Sequence, residues 1–204
     1  MFFRTSYDSM AKVVSAVVCA IVVVVTMATG SWIVAGLGVA VVGLSFTYAP
    51  RGYTIAGQSI LVHRPIGNLR IPLAGVQEAR AGTSEDLAGC IRLFGSGGLF
   101  GYYGLFQTSK LGRSTWYVTD RDKAIVVITA AKTAVFSPDD GDGFLAAIRA
   151  CAPVPLSSAG AMQTYRRGSP AGVLIGGGVG VAVLAVMGFA MLYSPGPPSY
   201  TLTP

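Results

Sequence analysis

Thr133-Ala134-Val135-Phe136-Ser137-Pro138-Asp139-Asp140-Gly141-Asp142-Gly143-Phe144-Leu145-Ala146-Ala147-Ile148 is where the chain changes its period. Thr133 to Phe136 is a short β-favouring run. Ser137-Pro138-Asp139-Asp140 then reads as a helix start: serine is a favoured N-cap, proline is tolerated in the first turn, and acids there complement the helix dipole. Phe144, Leu145 and Ile148 fall on one face of that helix, which suits them to lie over a sheet. A strand leading into one amphipathic helix predicts a small β-structure closed by its C-terminal helix.

The segment upstream agrees. Tyr53-Thr54-Ile55 and Ser59 to His63 flank the tight turn Ala56-Gly57-Gln58. From Asn68 to Leu73 apolar and polar residues alternate, the period of a half-buried strand. Trp116 to Thr119 and Ala124 to Thr129 flank the polar turn Asp120-Arg121-Asp122-Lys123, a hairpin pattern. Residues 51–150 thus form one domain of ordinary size.

Outside the domain the chain changes character. It has 204 residues, of which 52% are hydrophobic and 12% charged, about half the charge of a typical soluble domain. The deficit sits in three uncharged runs: Val13–Thr29, Trp32–Ala49 and Ala171–Tyr193. Each is about long enough to cross a bilayer. Trp32, Tyr48 and Tyr193 mark run ends, where aromatic rings suit the membrane–water interface. The first two runs, residues 13–49, read as a helical hairpin turned at Gly30-Ser31. A secretory leader fits less well, because a second apolar run follows at once. Residues 151–170 are a Pro/Ser/Gly linker to the third run, and 194–204 an uncharged Pro-rich tail.

Of the net charge of +6, residues 1–12 carry +1, the domain +3, and Arg166-Arg167 the rest. Under the positive-inside tendency the N-terminus and the domain are cytoplasmic and the tail lies outside. Cys19, Cys90 and Cys151 are widely separated and odd in number, so no disulfide framework is implied.

Arg92-Leu93-Phe94-Gly95-Ser96-Gly97-Gly98-Leu99-Phe100-Gly101-Tyr102-Tyr103-Gly104-Leu105-Phe106 is followed by Trp116-Tyr117-Val118-Thr119-Asp120 and then by Phe136-Ser137-Pro138-Asp139-Asp140. This order resembles a family of bacterial pleckstrin-homology-like (PH-like) domains, often fused to transmembrane segments. The resemblance spans roughly residues 50 to 150. It implies a seven-stranded, partly open barrel capped by a C-terminal helix, and it supplies no catalytic residues. The fold class expected is therefore membrane-anchored α+β: three transmembrane helices plus a PH-like β-barrel or sandwich with a capping helix.

The Gly-rich stretch 95–104 lacks the Lys-Ser/Thr and following helix of a phosphate loop; it reads as a bent strand whose glycines permit close approach. Asp139, Asp140 and Asp142 lack the twelfth-position glutamate of a calcium loop, and His63 has no catalytic companion. No catalytic, cofactor or metal residue is assigned. Gly172, Gly176 and Gly180 form a small-residue helix face, and Gly36 with Ala40 a weaker one. Tyr102, Tyr103 and Phe106 are the candidate partner patch. Arg51, Arg64, Arg70, Arg166 and Arg167 are the candidate contacts for anionic lipid.

These readings predict a multi-pass protein of the bacterial inner membrane, non-catalytic, with a PH-like interaction or scaffold module, serving as an accessory subunit of a larger membrane complex. Its expected partners are membrane lipids and either other integral subunits or a second copy. The alternative is a sensor of anionic lipid headgroups. Nucleic acid is not expected, because the domain's charges alternate in sign without a basic stripe.

Overall fold

A computed structural model describes residues 1–152. The elements run β1 (Phe2–Arg4), α1 (Ser9–Thr29), α2 (Trp32–Tyr48), β2 (Gly52–Ala56), β3 (Ser59–His63), β4 (Leu69–Pro72), β5 (Val76–Ala81), β6 (Ile91–Gly98), β7 (Gly101–Thr108), β8 (Gly112–Val118), β9 (Ile125–Thr129), β10 (Thr133–Phe136) and α3 (Gly141–Cys151). The strands form two sheets, β1-β2-β3-β4 and β5-β9-β10-β8-β7-β6. The expected barrel is therefore corrected: the sheets stack as a sandwich and do not close into one ring. All pairings are antiparallel except β8 with β10.

Period-2 alternation builds the larger sheet with two covered faces. Along β9 and β10, Ile125, Val127, Ala134 and Phe136 point to the core shared with the small sheet. Val126 and Val135 point the opposite way, to a second core with Trp116, Tyr102 and Phe106. α3 plugs the first core with Phe144, Leu145 and Ile148, as its spacing predicts. Phe144 meets Phe3 edge-on at 5.2 Å between ring centroids and Tyr53 at 5.8 Å.

The helix start differs from the expected one. Asp140, not Ser137, caps α3, accepting from the Gly143 N–H at 2.9 Å. Ser137 is wholly buried and accepts the Thr119 N–H at 2.8 Å and the Asp120 N–H at 3.3 Å, while its own N–H donates to the Tyr53 hydroxyl at 3.2 Å. Its hydroxyl satisfies the backbone where β8 leaves the sheet, so it cannot also cap a helix three residues on.

The N-terminus is also more than a lead-in to a span. β1 pairs with β2, Phe2 opposite Thr54 and Arg4 opposite Gly52, and Phe3 enters the core. α1 follows, capped by Asp8, whose carboxylate accepts the Ala11 N–H at 2.5 Å. It turns into α2 at Gly30, whose φ of +59° is the left-handed conformation of a glycine helix end. The apolar hairpin is thus inserted between two neighbouring strands of one sheet.

With 21 residues and mean hydropathy 2.5, α1 is long and apolar enough to cross a membrane. α2 is a shorter apolar helix of 17 residues. Three clear spans are therefore not established: the described residues hold one full-length candidate and one shorter helix, and the run Ala171–Tyr193 lies outside them. So do residues 153–170 of the linker, the tail, Gly172, Gly176, Gly180, Arg166 and Arg167; Cys151, expected to open the linker, is the last residue of α3.

Gly36 and Ala40 are exposed on α2. The close contact with α1 falls instead at Gly38, where an added Cβ would strike Val22. Within the hairpin, the turn sets the rotation of α2 about its axis so that Gly38 meets α1 and Gly36 and Ala40 face outward, which spacing alone does not fix.

Candidate functional site

The larger sheet extends past the small one, and the hairpin leans over the uncovered β6–β8 portion. Three hydrogen bonds fix it there. The Asp8 N–H donates to the Thr119 carbonyl at 3.0 Å, the Phe100 N–H to Ser15 Oγ at 2.9 Å, and the Tyr103 hydroxyl to the Ser45 carbonyl at 2.5 Å. Phe46 and Phe100 meet edge-on at 5.4 Å, and the Arg51 guanidinium lies 4.3 Å from the Phe46 ring centroid.

Between hairpin and sheet is a cavity of about 650 Å³, within the range of small-molecule sites. One wall is Val18, Ile21, Val22 and Val25 of α1 with Val34, Val41 and Leu44 of α2. The other is Phe94, Leu99, Tyr103, Thr115 and Tyr117. Two cations line it: Arg64, just after β3, and Arg92 on β6. The Arg64 guanidinium lies 5.5 Å from the Tyr117 ring centroid and 5.9 Å from that of Tyr48, and its Nε is buried without a hydrogen-bond partner. Among the described residues no carboxylate pairs with Arg64 or Arg92.

The Gly-rich stretch shapes this wall. Gly95 and Gly104 stand opposite each other in the β6–β7 pair, with φ of +108° and +121°. A Cβ on Gly95 would run into the Tyr103 carbonyl oxygen, and one on Gly104 into that of Phe94. The bent-strand reading is correct: the glycines let two backbones touch, and no phosphate loop is formed. A register shift between Arg92 and Phe94 adds a bulge beside them.

Tyr102, Tyr103 and Phe106 do not form the expected exposed patch: they are 1%, 7% and 0% exposed. Tyr102 and Phe106 pack with Trp116 in the second core, Phe106 stacked on its indole at 4.6 Å. Tyr103 is committed to Ser45, and burial raises its hydroxyl pKa. The aromatics are absorbed because α1 and the loop before β6 cover the sheet face that a bare barrel would leave open.

The arginines separate. Arg51 stacks at the base of α2, Arg64 lines the cavity, and Arg70 is exposed on β4 with its Nε 2.9 Å from Ser59 Oγ. Arg92 was not among the expected lipid contacts. The bulge breaks the alternation that would have assigned its face, and no sequence period brings it to Arg64. His63 Nε2 lies 2.8 Å from Thr54 Oγ1. Asp139 pairs with Lys123 at 2.6 Å.

The loop from β5 to β6 crosses from one edge of the large sheet to the other. It is held by Asp86, wholly buried, whose carboxylate accepts from Arg80 at 2.5 and 2.8 Å and from the Thr83 N–H and hydroxyl at 2.8 Å each. Burial opposes the charge of Asp86, but the bonds from Arg80 and Thr83 outweigh it and hold the carboxyl well below its usual range. Cys90 ends the same loop, and burial pushes its thiol up to about 11, which leaves it protonated at neutral pH.

A two-sheet sandwich plugged by a C-terminal helix is the PH-like class of fold. Residues 51–151 match the model of the family described as Bacterial PH domain, and this domain belongs to that family. None of the curated proteins and none of the solved structures compared with the chain matches it. The match begins at Arg51, so β1 and the hairpin lie outside the family domain although both pack into it.

Proposed function

We propose that the chain is a non-catalytic membrane protein whose PH-like module is held in fixed orientation at the bilayer surface, as an accessory subunit of a larger membrane assembly. One observation carries the reading: the apolar hairpin is inserted between β1 and β2 and bonded to the sheet at Thr119, Phe100 and Tyr103. A module on a flexible tether would sample all orientations; this one turns with its anchor. The N-terminus stays with the mature chain, since cleavage after the first apolar run would remove Phe3 and β1 from the sandwich. Ile91 and Leu93, exposed on the edge strand β6, support a contact surface at that edge. The domain faces the cytoplasm, with α1, α2 and the Ala171–Tyr193 run as the spans.

The test is extraction of native membranes in mild detergent followed by sizing. A discrete species larger than the monomer, reduced by Leu93→Lys, is the expected result. Recovery of monomer alone overturns the subunit reading. Protease protection in right-side-out and inverted vesicles checks the orientation; digestion of the domain from outside defeats it.

A further inference from the structure

We propose that the cavity between the hairpin and β6–β8 is a binding site for one anionic phospholipid of the surrounding bilayer. Its phosphate is held by Arg64 and Arg92 and an acyl chain lies along the hairpin; this rests on the membrane-anchored reading above.

The cavity is chemically two-sided. Val18, Val22, Val25, Leu44 and Phe94 offer no donor or acceptor from their side chains, so the body of the occupant is hydrocarbon. Arg64 and Arg92 supply positive charge at the same cavity, and among the described residues no carboxylate neutralises either. A guanidinium beside apolar walls is costly without an anion, and Arg64 Nε is a buried donor with no acceptor. Phosphate answers both needs, because a guanidinium binds it through paired N–H donors. The occupant that combines an anionic head with hydrocarbon is an amphiphile. The bilayer is its source, since α1, which forms one wall, is long and apolar enough to enter it. Arg70, exposed on β4 and not part of the cavity lining, serves as the control cation.

The experiment uses the full chain, purified in mild detergent, delipidated and offered phosphatidylglycerol or phosphatidylcholine with the same acyl chains, with bound lipid counted by native mass spectrometry. Wild type is expected to retain one phosphatidylglycerol and to prefer it over phosphatidylcholine by roughly tenfold: both carry the phosphate, but the choline cation of the latter cancels its charge and is repelled by the two guanidiniums. Arg64→Gln with Arg92→Gln abolishes the preference, and Arg70→Gln leaves it intact. Equal binding of the two lipids by wild type, or an unchanged preference in the double variant, overturns the site without reliance on any variant's fold. Cysteine cross-linking between Phe94 and the 171–193 run in the lipid-loaded protein also overturns it, since that segment would then fill the cavity. Alkaline carbonate extraction separates the two readings. Release of the protein defeats the anchor, whereas a retained protein without lipid preference defeats the site alone.

Discussion

The two halves of the inner face of the large sheet are finished in opposite ways. Over β9 and β10 the face is filled: Phe136, Phe144 and Ile148 are each 0% exposed, interlocked with Tyr53 and Ile60 of the small sheet. Over β6–β8 the same face meets the hairpin across a cavity of about 650 Å³, lined by Arg92 of β6 and by Arg64 just after β3. The filled half is what a domain needs to fold. The hollow half adds less by burial, since the wall atoms that face the gap have no partners across it. It is the part of the sandwich free to be used.

The comparison breaks most visibly at its filled end. Phe144→Ala is expected to cost about 3–5 kcal/mol, the range for deleting a buried ring, measured as loss of near-UV circular dichroism on heating in detergent. A cost below about 1 kcal/mol would mean that α3 does not plug the core.

Asp86→Ala tests the crossover joining the two halves. Removing one partner of the Asp86–Arg80 pair is expected to cost about 3 kcal/mol, read in the same melt. The acid limb gives a second signature. Asp86 sits below its ordinary pKa in the folded state, so its stabilisation is full above about pH 4 and declines as the pH falls below that value. The variant should lose this part of the acid dependence, and an identical acid limb would remove Asp86 from the account.

Tyr103→Phe keeps the ring and deletes its bond to Ser45. We expect about 1 kcal/mol and faster hydrogen exchange along the last turn of α2. Unchanged exchange would show that the other contacts suffice to seat the hairpin. Leu44→Ala sits at the hollow end, where the side chain is 60% exposed beside the cavity. Its cost is expected to stay within about 0.5 kcal/mol in detergent, and a Phe144-sized loss would show that the cavity is filled by protein.

Much of the filled half is legible in the chain. Alternation marks β4, β-favouring runs between turn residues mark β2, β3, β9 and β10, and the spacing of Phe144, Leu145 and Ile148 marks α3. β1 escapes because three residues beside a span carry no period of their own. β5 escapes because Gln77, Glu78 and Arg80 dilute its alternation to the single buried Ala79. Ser137 misleads because a serine before Pro-Asp-Asp is a good cap by local rules, yet the buried Thr119 N–H at the end of the neighbouring strand β8 has the stronger need.

Local order along the chain determined most of the strands, the apolar helices, the net charge near them and the bent glycine pair, because backbone propensity and side-chain period act over a few residues. Which face each aromatic took, that β1 and β2 bracket the hairpin, that Gly38 rather than Gly36 meets α1, and that Arg64 and Arg92 share one cavity were decided by the tertiary structure. Those are long-range choices. They depend on how two sheets and a hairpin exclude one another from the same space, and no spacing within the chain encodes that.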